Sequence, residues 1–293
     1  MGSGKQVQAE VRQLISDFLS TRRAGLPPEK AGLALGPNRR VKGLRREEVA
    51  ALAGISVEYY VRLERGRASG ASDGVLEGVS RALQLDGAER SHLNDLLRSS
   101  AGTRACEVPI APGPLRPPVQ RILDSMSTTP AIVLNPRLEV VGTNALGRAL
   151  LPETGDLGRS LFLDPRSRTF WREWDVVADD AVNRLRADAG RNPCDRSLAG
   201  LVAELAESSP EFGPRWARHD VRVQTSGTRR IHHPIVGDLE LPFESTPLAS
   251  DPGLTLLMFT AESRSASEDA LKLLAIPAAQ SSASSRRAPA SNS

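Results

Sequence analysis

Cysteine is nearly absent: 293 residues carry only Cys106 and Cys194, too few and too far apart for a disulfide framework, which points to a reducing compartment. Histidine is scarce too. His92, His219, His232 and His233 show no metal-ligand spacing among themselves or with the cysteines, so no metal site is expected, and no zinc, haem or P-loop signature is present. Long apolar runs are also missing. The longest, 254–261, is too short to span a bilayer, and no apolar stretch follows the opening Met1-Gly-Ser-Gly-Lys-Gln6. The expectation is a cytoplasmic protein with no membrane insertion and no cofactor. Lysine occurs four times, and the arginine excess carries no inference about partners.

What the chain does have is one dense motif, Leu44-Arg-Arg-Glu-Glu-Val-Ala-Ala-Leu-Ala-Gly-Ile-Ser-Val-Glu-Tyr-Tyr-Val-Arg-Leu-Glu-Arg-Gly66. Its pattern predicts helices over 45–52 and 57–65 around a tight turn, the geometry of a helix-turn-helix that reads DNA. Gly54 is free to take the positive φ of the turn, and Ser56 is placed to cap the second helix. Val49 with Leu52 and Tyr60 with Leu63 are expected to face a shared core. Adjacent residues lie about 100° apart around a helix, so Tyr60 is assigned to the core and Tyr59 to the groove.

Charge concentrates on the same segment. The whole chain has a net charge of only +3, but residues 36–70 hold eight basic side chains against four acidic ones. Arg39, Arg40, Lys42, Arg45, Arg46, Arg62 and Arg65 are the candidate phosphate contacts, and Ser56, Val57, Glu58 and Tyr59 are the candidates for reading base edges. Arg45 and Arg46 occupy a helix start, where cations are disfavoured unless an anion such as phosphate is near; Glu47 and Glu48 offer a local alternative. Glu64 either pairs with Arg22 or Arg23, setting helix orientation, or stands solvated.

These residues resemble the Xre/Cro-type helix-turn-helix regulators, and Gly43-Leu-Arg-Arg-Glu-Glu-Val-Ala with Arg62-Leu-Glu-Arg-Gly-Arg67 resembles their MmyB-like branch. The resemblance implies a λ-repressor-like all-α domain and places Arg46 where the family has a phosphate-contacting glutamine. Two residues depart from the pattern. Arg45 stands where many Xre proteins carry a capping Ser or Thr, and Ala71 where close relatives carry proline.

Five helices are expected over 6–99, beginning with a stripe of Val7, Val11, Leu14, Ile15, Phe18 and Leu19. Ser72 is placed to cap one helix, and Asp86 with Glu89 to box the start of another. Residues 100–118 contain five prolines and read as a linker. Over 119–275 the order changes to a hairpin at 131–134 and 138–141, helices near 144–151, 168–189, 196–208 and 211–219, and strands at 221–225 or 228–233, 239–243 and 254–260. That is an α+β domain with an antiparallel sheet. Residues 276–293 read as a disordered tail.

Leu163-Asp-Pro-Arg166, Trp216-Ala-Arg-His-Asp-Val221 and Gly227-Thr-Arg-Arg-Ile-His-His-Pro234 resemble the PAS-like ligand-binding domain of the same branch. The resemblance implies a hydrophobic or fatty-acid-like small-molecule effector. Phe162, Phe170, Trp171, Trp174, Trp216, His219 and Met258 are the candidate ligand contacts, with an ordinary helix-on-sheet core as the competing account of the aromatics. The resulting expectation is a homodimeric, sequence-specific DNA-binding transcriptional regulator, a repressor by default, with double-stranded DNA as partner. Two rivals stay open: a second domain that is only a dimerisation or interaction module, or an enzyme tethered to DNA.

No catalytic residue is assigned. Gly70-Ala-Ser-Asp-Gly74 fits a nucleophile elbow but does not follow an apolar strand. His219-Asp220 reads as a satisfied core or ligand-orienting pair before an acid–base one, and His232 and His233 point to opposite faces of a strand.

Overall fold

The computed structural model describes residues 2–34, 39, 41–68, 70–100, 115–151 and 155–285, in two compact units. The first comprises Met1–Pro109, Val182–Gly200 and Pro214–Val223, the second Ile110–Ala181, Leu201–Gly213 and Gln224–Ser293. Among the described residues no helix is long and apolar enough to cross a membrane, and no group of His, Cys, Asp and Glu could hold a metal ion.

The first unit contains α1 (Gly2–Gly25), α2 (Arg46–Ala53), α3 (Val57–Glu64), α4 (Asp73–Ala82) and α5 (Gly87–Ser100). Caps define the starts as the sequence predicts. Ser56 Oγ accepts from the Tyr59 amide at 3.1 Å, Ser72 Oγ from that of Val75, and Asp86 Oδ1 from Ala88 and Glu89, while Glu89 returns the bond to the Asp86 amide. Gly54 turns the chain at φ 69°. Gly66, at φ 63°, also lies so close to α1 that a Cβ would stand 2.7 Å from the Arg12 Cα.

Ile15, Phe18, Leu19, Val49, Ala50, Tyr60, Leu63, Val79, Leu93 and Leu96 share the apolar core. Leu52 does not join them. It is exposed, because the stripe that α2 turns inward is Val49, Ala50 and Ala53, the i, i+1, i+4 set, and not the three-residue spacing.

The second unit is built on a five-stranded, wholly antiparallel sheet of order β2-β1-β5-β4-β3: β1 Ala131–Leu134, β2 Val140–Thr143, β3 Ser226–His233, β4 Gly237–Pro247 and β5 Thr255–Phe259. Successive residues of β1 feed opposite faces. Ile132 and Leu134 join Leu239, Leu241, Phe243 and Phe259 under α7 (Ala145–Leu150) and α13 (Ala266–Ser285). Ala131 and Val133 join Leu256 and Met258 against Leu123 of α6 (Pro117–Ser125).

Asn144 ties the hairpin to its surroundings. Its Oδ1 accepts from the Ala131 and Gly147 amides at 3.1 and 2.7 Å, and its Nδ2 donates to the Met126 and Thr129 carbonyls at 2.8 and 2.7 Å.

The remaining helices are α8 (Leu157–Leu163), α9 (Ser167–Phe170), α10 (Trp174–Arg191), α11 (Arg196–Ser208) and α12 (Phe212–Trp216). Four features differ from the sequence reading. The helix expected over 168–189 is interrupted, because the Trp171 backbone bridges to Ile231 of β3 and the Arg172 amide donates to the Arg230 carbonyl. Pro117 and Pro118, read as the end of a linker, instead start α6, where the amides they lack have no intrahelical partner to lose. The tail expected to be disordered from 276 is helical as far as Ser285, although that stretch holds Pro277 and four serines. Cys194 is disulfide-bonded, where no disulfide framework was expected; the other cysteine in the sequence, Cys106, lies outside the described residues. Two cysteines far apart in sequence reveal nothing of their separation in space.

Candidate functional site

The exposed side of α3 and the start of α2 form one polar surface. Ser56, Val57, Glu58, Arg62 and Arg65 are exposed on or beside α3, as are Lys42, Arg45 and Arg46 before and at the start of α2. Tyr59 is half-buried and packed against the core, with the Arg62 guanidinium over its ring, 5.2 Å from the centroid. Tyr60 is fully buried, and burial raises its phenol pKa. Arg40 lies outside the described residues. Of the expected site, the structure therefore brings together Lys42, Arg45, Arg46, Ser56, Val57, Glu58, Tyr59, Arg62 and Arg65.

Arg39 is placed differently from these. Its guanidinium donates to both carboxylate oxygens of Glu48 at 2.6 and 2.7 Å, and to the Gly43 and Val41 carbonyls. Glu48 in turn accepts from the Arg45 amide at 2.6 Å. That bond supplies half of a capping box and explains how α2 begins without a Ser or Thr cap. The signal was in the sequence, since Glu48 stands three residues after Arg45, the N3 position of a cap.

Glu48 yields a pH prediction. The bond from Arg39, followed by that from the Arg45 amide, holds the Glu48 carboxyl down at about 2 against an ordinary 4.5. A depressed carboxylate stabilises the fold fully above the unfolded value and loses that contribution as pH falls from about 4.5 toward 2. Thermal melts from pH 7 to pH 3 are expected to show wild type losing of order 1–2 kcal/mol more than Glu48→Gln, the range of a screened charge-assisted bond. Parallel curves would remove Glu48 from the acid transition.

Behind the surface, Glu64 is buried to 1 % exposure and is the hinge of the arrangement. Its Oε1 accepts from Arg23 Nε and Nη2 at 3.1 and 2.9 Å, and its Oε2 from Arg46 Nε at 2.5 Å. Of the two partners open in the sequence, Arg23 is the one that pairs. Arg46 was foreseen only as a phosphate contact. It does both kinds of work: Nε is held inward while half of the side chain stays exposed. One carboxylate thus fixes the angle between α1, α2 and α3, and aims the Arg46 guanidinium outward.

The seven candidate ligand contacts do not form one group. Phe162 lies edge-on between Trp174 and Phe212, at 5.8 and 5.1 Å, and the Trp174 indole donates to the Leu161 carbonyl and Ser167 Oγ, both at 3.1 Å. Arg168 covers the Trp174 ring at 4.0 Å. Phe170 and Trp171 meet edge-on at 5.1 Å and pack on the sheet face of Leu241 and Phe243. Met258 serves the opposite face. Trp216 and His219 belong to the first unit. His219 and Asp220 have partners there, whereas His232, in the second unit, bonds Asp238 at 2.6 Å on an exposed edge beside Arg172.

A family model described as an MmyB-like transcription regulator ligand binding domain matches residues 115–274, and one described as a helix-turn-helix domain matches residues 22–93. No curated protein matches the chain.

Proposed function

The chain belongs to the MmyB-like transcription regulators, a DNA-binding domain joined to a ligand-binding one, and from that membership we propose a sequence-specific repressor released or engaged by an apolar, fatty-acid-like effector. The observation that carries the DNA half is the exposed α3 row of Val57, Glu58 and half-buried Tyr59, flanked by Arg46, Arg62 and Arg65. A helix N-terminus bearing such side chains fits a major groove, while the arginines sit where phosphates pass. Two copies then read half-sites about 34 Å apart, so a homodimer and a near-palindromic operator belong to the proposal. Support for the effector half is the matched ligand-binding region together with the aromatic sets Phe162, Trp174, Phe212 and Phe170, Trp171 in the second unit.

Selection of bound duplexes from a random pool, repeated with cell lipid extract present, tests both halves. Glu58→Ala and Tyr59→Ala are expected to change which sequences are enriched. Arg46→Ala, Arg62→Ala and Arg65→Ala are each expected to weaken all duplexes alike and to reduce the salt slope of log K by about 1. Preserved preference and preserved slope across all five variants would reject the groove assignment, and enrichment indifferent to lipid would reject this effector class.

A further inference from the structure

Two pieces of the region that matches the ligand-binding family, 182–200 and 214–223, are members of the same compact unit as the helix-turn-helix. Their contacts within that unit are specific. Val221 is buried in the core that contains Ile15, Phe18 and Leu93. Arg22, in the last turn of α1, donates to the His219 carbonyl at 2.6 Å and to Asp220 at 3.1 Å, and its Nε lies 3.2 Å from Glu89 of α5. Arg222 donates at 2.7 Å to Asp86 Oδ2, the carboxylate whose other oxygen caps α5. Gly190, in the last turn of α10, lies against His92 of α5; a Cβ there would stand 2.7 Å from the ring Nδ1, while the Gly190 carbonyl accepts from Ser99 Oγ at 3.4 Å.

Arg186 joins the two pieces. It is 2 % exposed, stacks 3.9 Å from the Trp216 ring centroid, donates to the Trp216 carbonyl and has Nη1 3.0 Å from His219 Nδ1. Its Nε has no partner among the described residues, and burial lowers its pKa to about 10. Burial likewise holds His92 down at about 3 and His219 down at about 4, so both rings are neutral near pH 7. A buried cation held by a carbonyl and a neutral ring is costly and depends on the two pieces staying together. His219 adds a left-handed φ of 56°.

Covalently, both pieces lead straight to the aromatic trio. α10 begins at Trp174, and Phe212 stands two residues before Pro214. We infer that 182–200 and 214–223 form a strap that couples the ligand-binding region to α1 and α5, so that repacking around Phe162, Trp174 and Phe212 changes how firmly the DNA-reading helices are held. The inference rests on the DNA-binding reading above, and reciprocity supplies its test: if the strap biases DNA binding, DNA must bias the strap.

The experiment uses full-length protein, a duplex enriched from the random pool, and amide hydrogen exchange with and without it. In wild type, DNA is expected to slow exchange in 186–191 and 216–222 as well as in α2 and α3. Gly190→Ala, which drives His92 aside, is expected to abolish that response and weaken binding fivefold or more. Gly190→Ala with His92→Ala should return affinity to within twofold of His92→Ala alone, the non-additivity of a direct contact. Asp220→Asn, which alters an ion pair without touching the packing, should shift affinity the same way and keeps the test readable if Gly190→Ala fails to fold.

Tight wild-type binding with no DNA effect on the strap overturns the inference, as does wild-type affinity in both Gly190→Ala and Asp220→Asn. If wild type binds no duplex, the DNA-binding reading falls, and the strap is judged on exchange in α1 and α5: faster exchange in Asp220→Asn supports it, and unchanged exchange overturns it.

Discussion

Glu64→Ala is expected to cost about 3–5 kcal/mol, the range for breaking a buried ion pair by removing one partner. That is a large part of a typical folding free energy of about 5–15 kcal/mol, and it should lower the melting midpoint by roughly 6–20 °C. The reason is geometric as well as electrostatic. Arg23 keeps the Leu44 carbonyl, at 3.0 Å, but loses its carboxylate, and Arg46 loses the contact that aims it. Glu64→Gln, which preserves shape and one acceptor, should fall between the two proteins. Arg46→Ala should cost less than about 1 kcal/mol, because half of that side chain is in solvent. DNA affinity is expected to fall in Glu64→Ala and Arg46→Ala alike, while only Glu64→Ala loses more than about 1 kcal/mol of stability. A Glu64→Ala protein melting within 2 °C of wild type would show that Arg23 and Arg46 are content without their shared carboxylate, contrary to a threshold of roughly 6 °C.

The second large effect belongs to Asn144→Asp. Asn144 is 2 % exposed and spends all four of its usual bonds on backbone groups. An aspartate keeps the two acceptor bonds but turns an oxygen toward the Met126 and Thr129 carbonyls, which then lose their donor and face a buried anion. The expected loss is about 3–5 kcal/mol: an ionised carboxylate leaves two carbonyls unsatisfied against a buried charge, and a protonated one satisfies only one of them after being neutralised, each unsatisfied carbonyl costing about 1–3 kcal/mol. Limited proteolysis at pH 7 should cut the second unit near 126–131 faster than in wild type. Cleavage at the wild-type rate, with an unchanged melt, would mean the carboxyl is accommodated.

Local chemistry was legible in the sequence and long-range chemistry was not. Gly54, Ser56, Ser72 and the Asp86–Glu89 box act within three or four residues, so spacing was enough to place them. Leu52 failed because an eight-residue helix offers too few turns to distinguish one stripe from the next. The Arg46–Glu64 bond spans 18 positions, and no pattern announces which of several outward arginines a buried carboxylate will take. Trp171 was read into a helix because its residue type permits one; its bridge to Ile231, sixty positions away, is what stops it. The same limit hid the membership of Val221 in the first core and scattered the aromatic candidates over several places.

Both outer strands of the sheet are met by short pieces of chain. Glu139, just before β2, bridges to Asp156, with the Val140 amide donating to the Gly155 carbonyl, and Trp171 and Arg172 lie along β3. Unpaired amides and carbonyls at a sheet margin invite another molecule to continue the ladder. Here the chain itself takes up part of each margin, at one point beside β2 and one beside β3. At those two points a second copy would meet side chains and an already paired backbone, not open hydrogen-bonding groups. Accidental pairing of copies in a crowded solution is thereby hindered at the ends where the bridges lie.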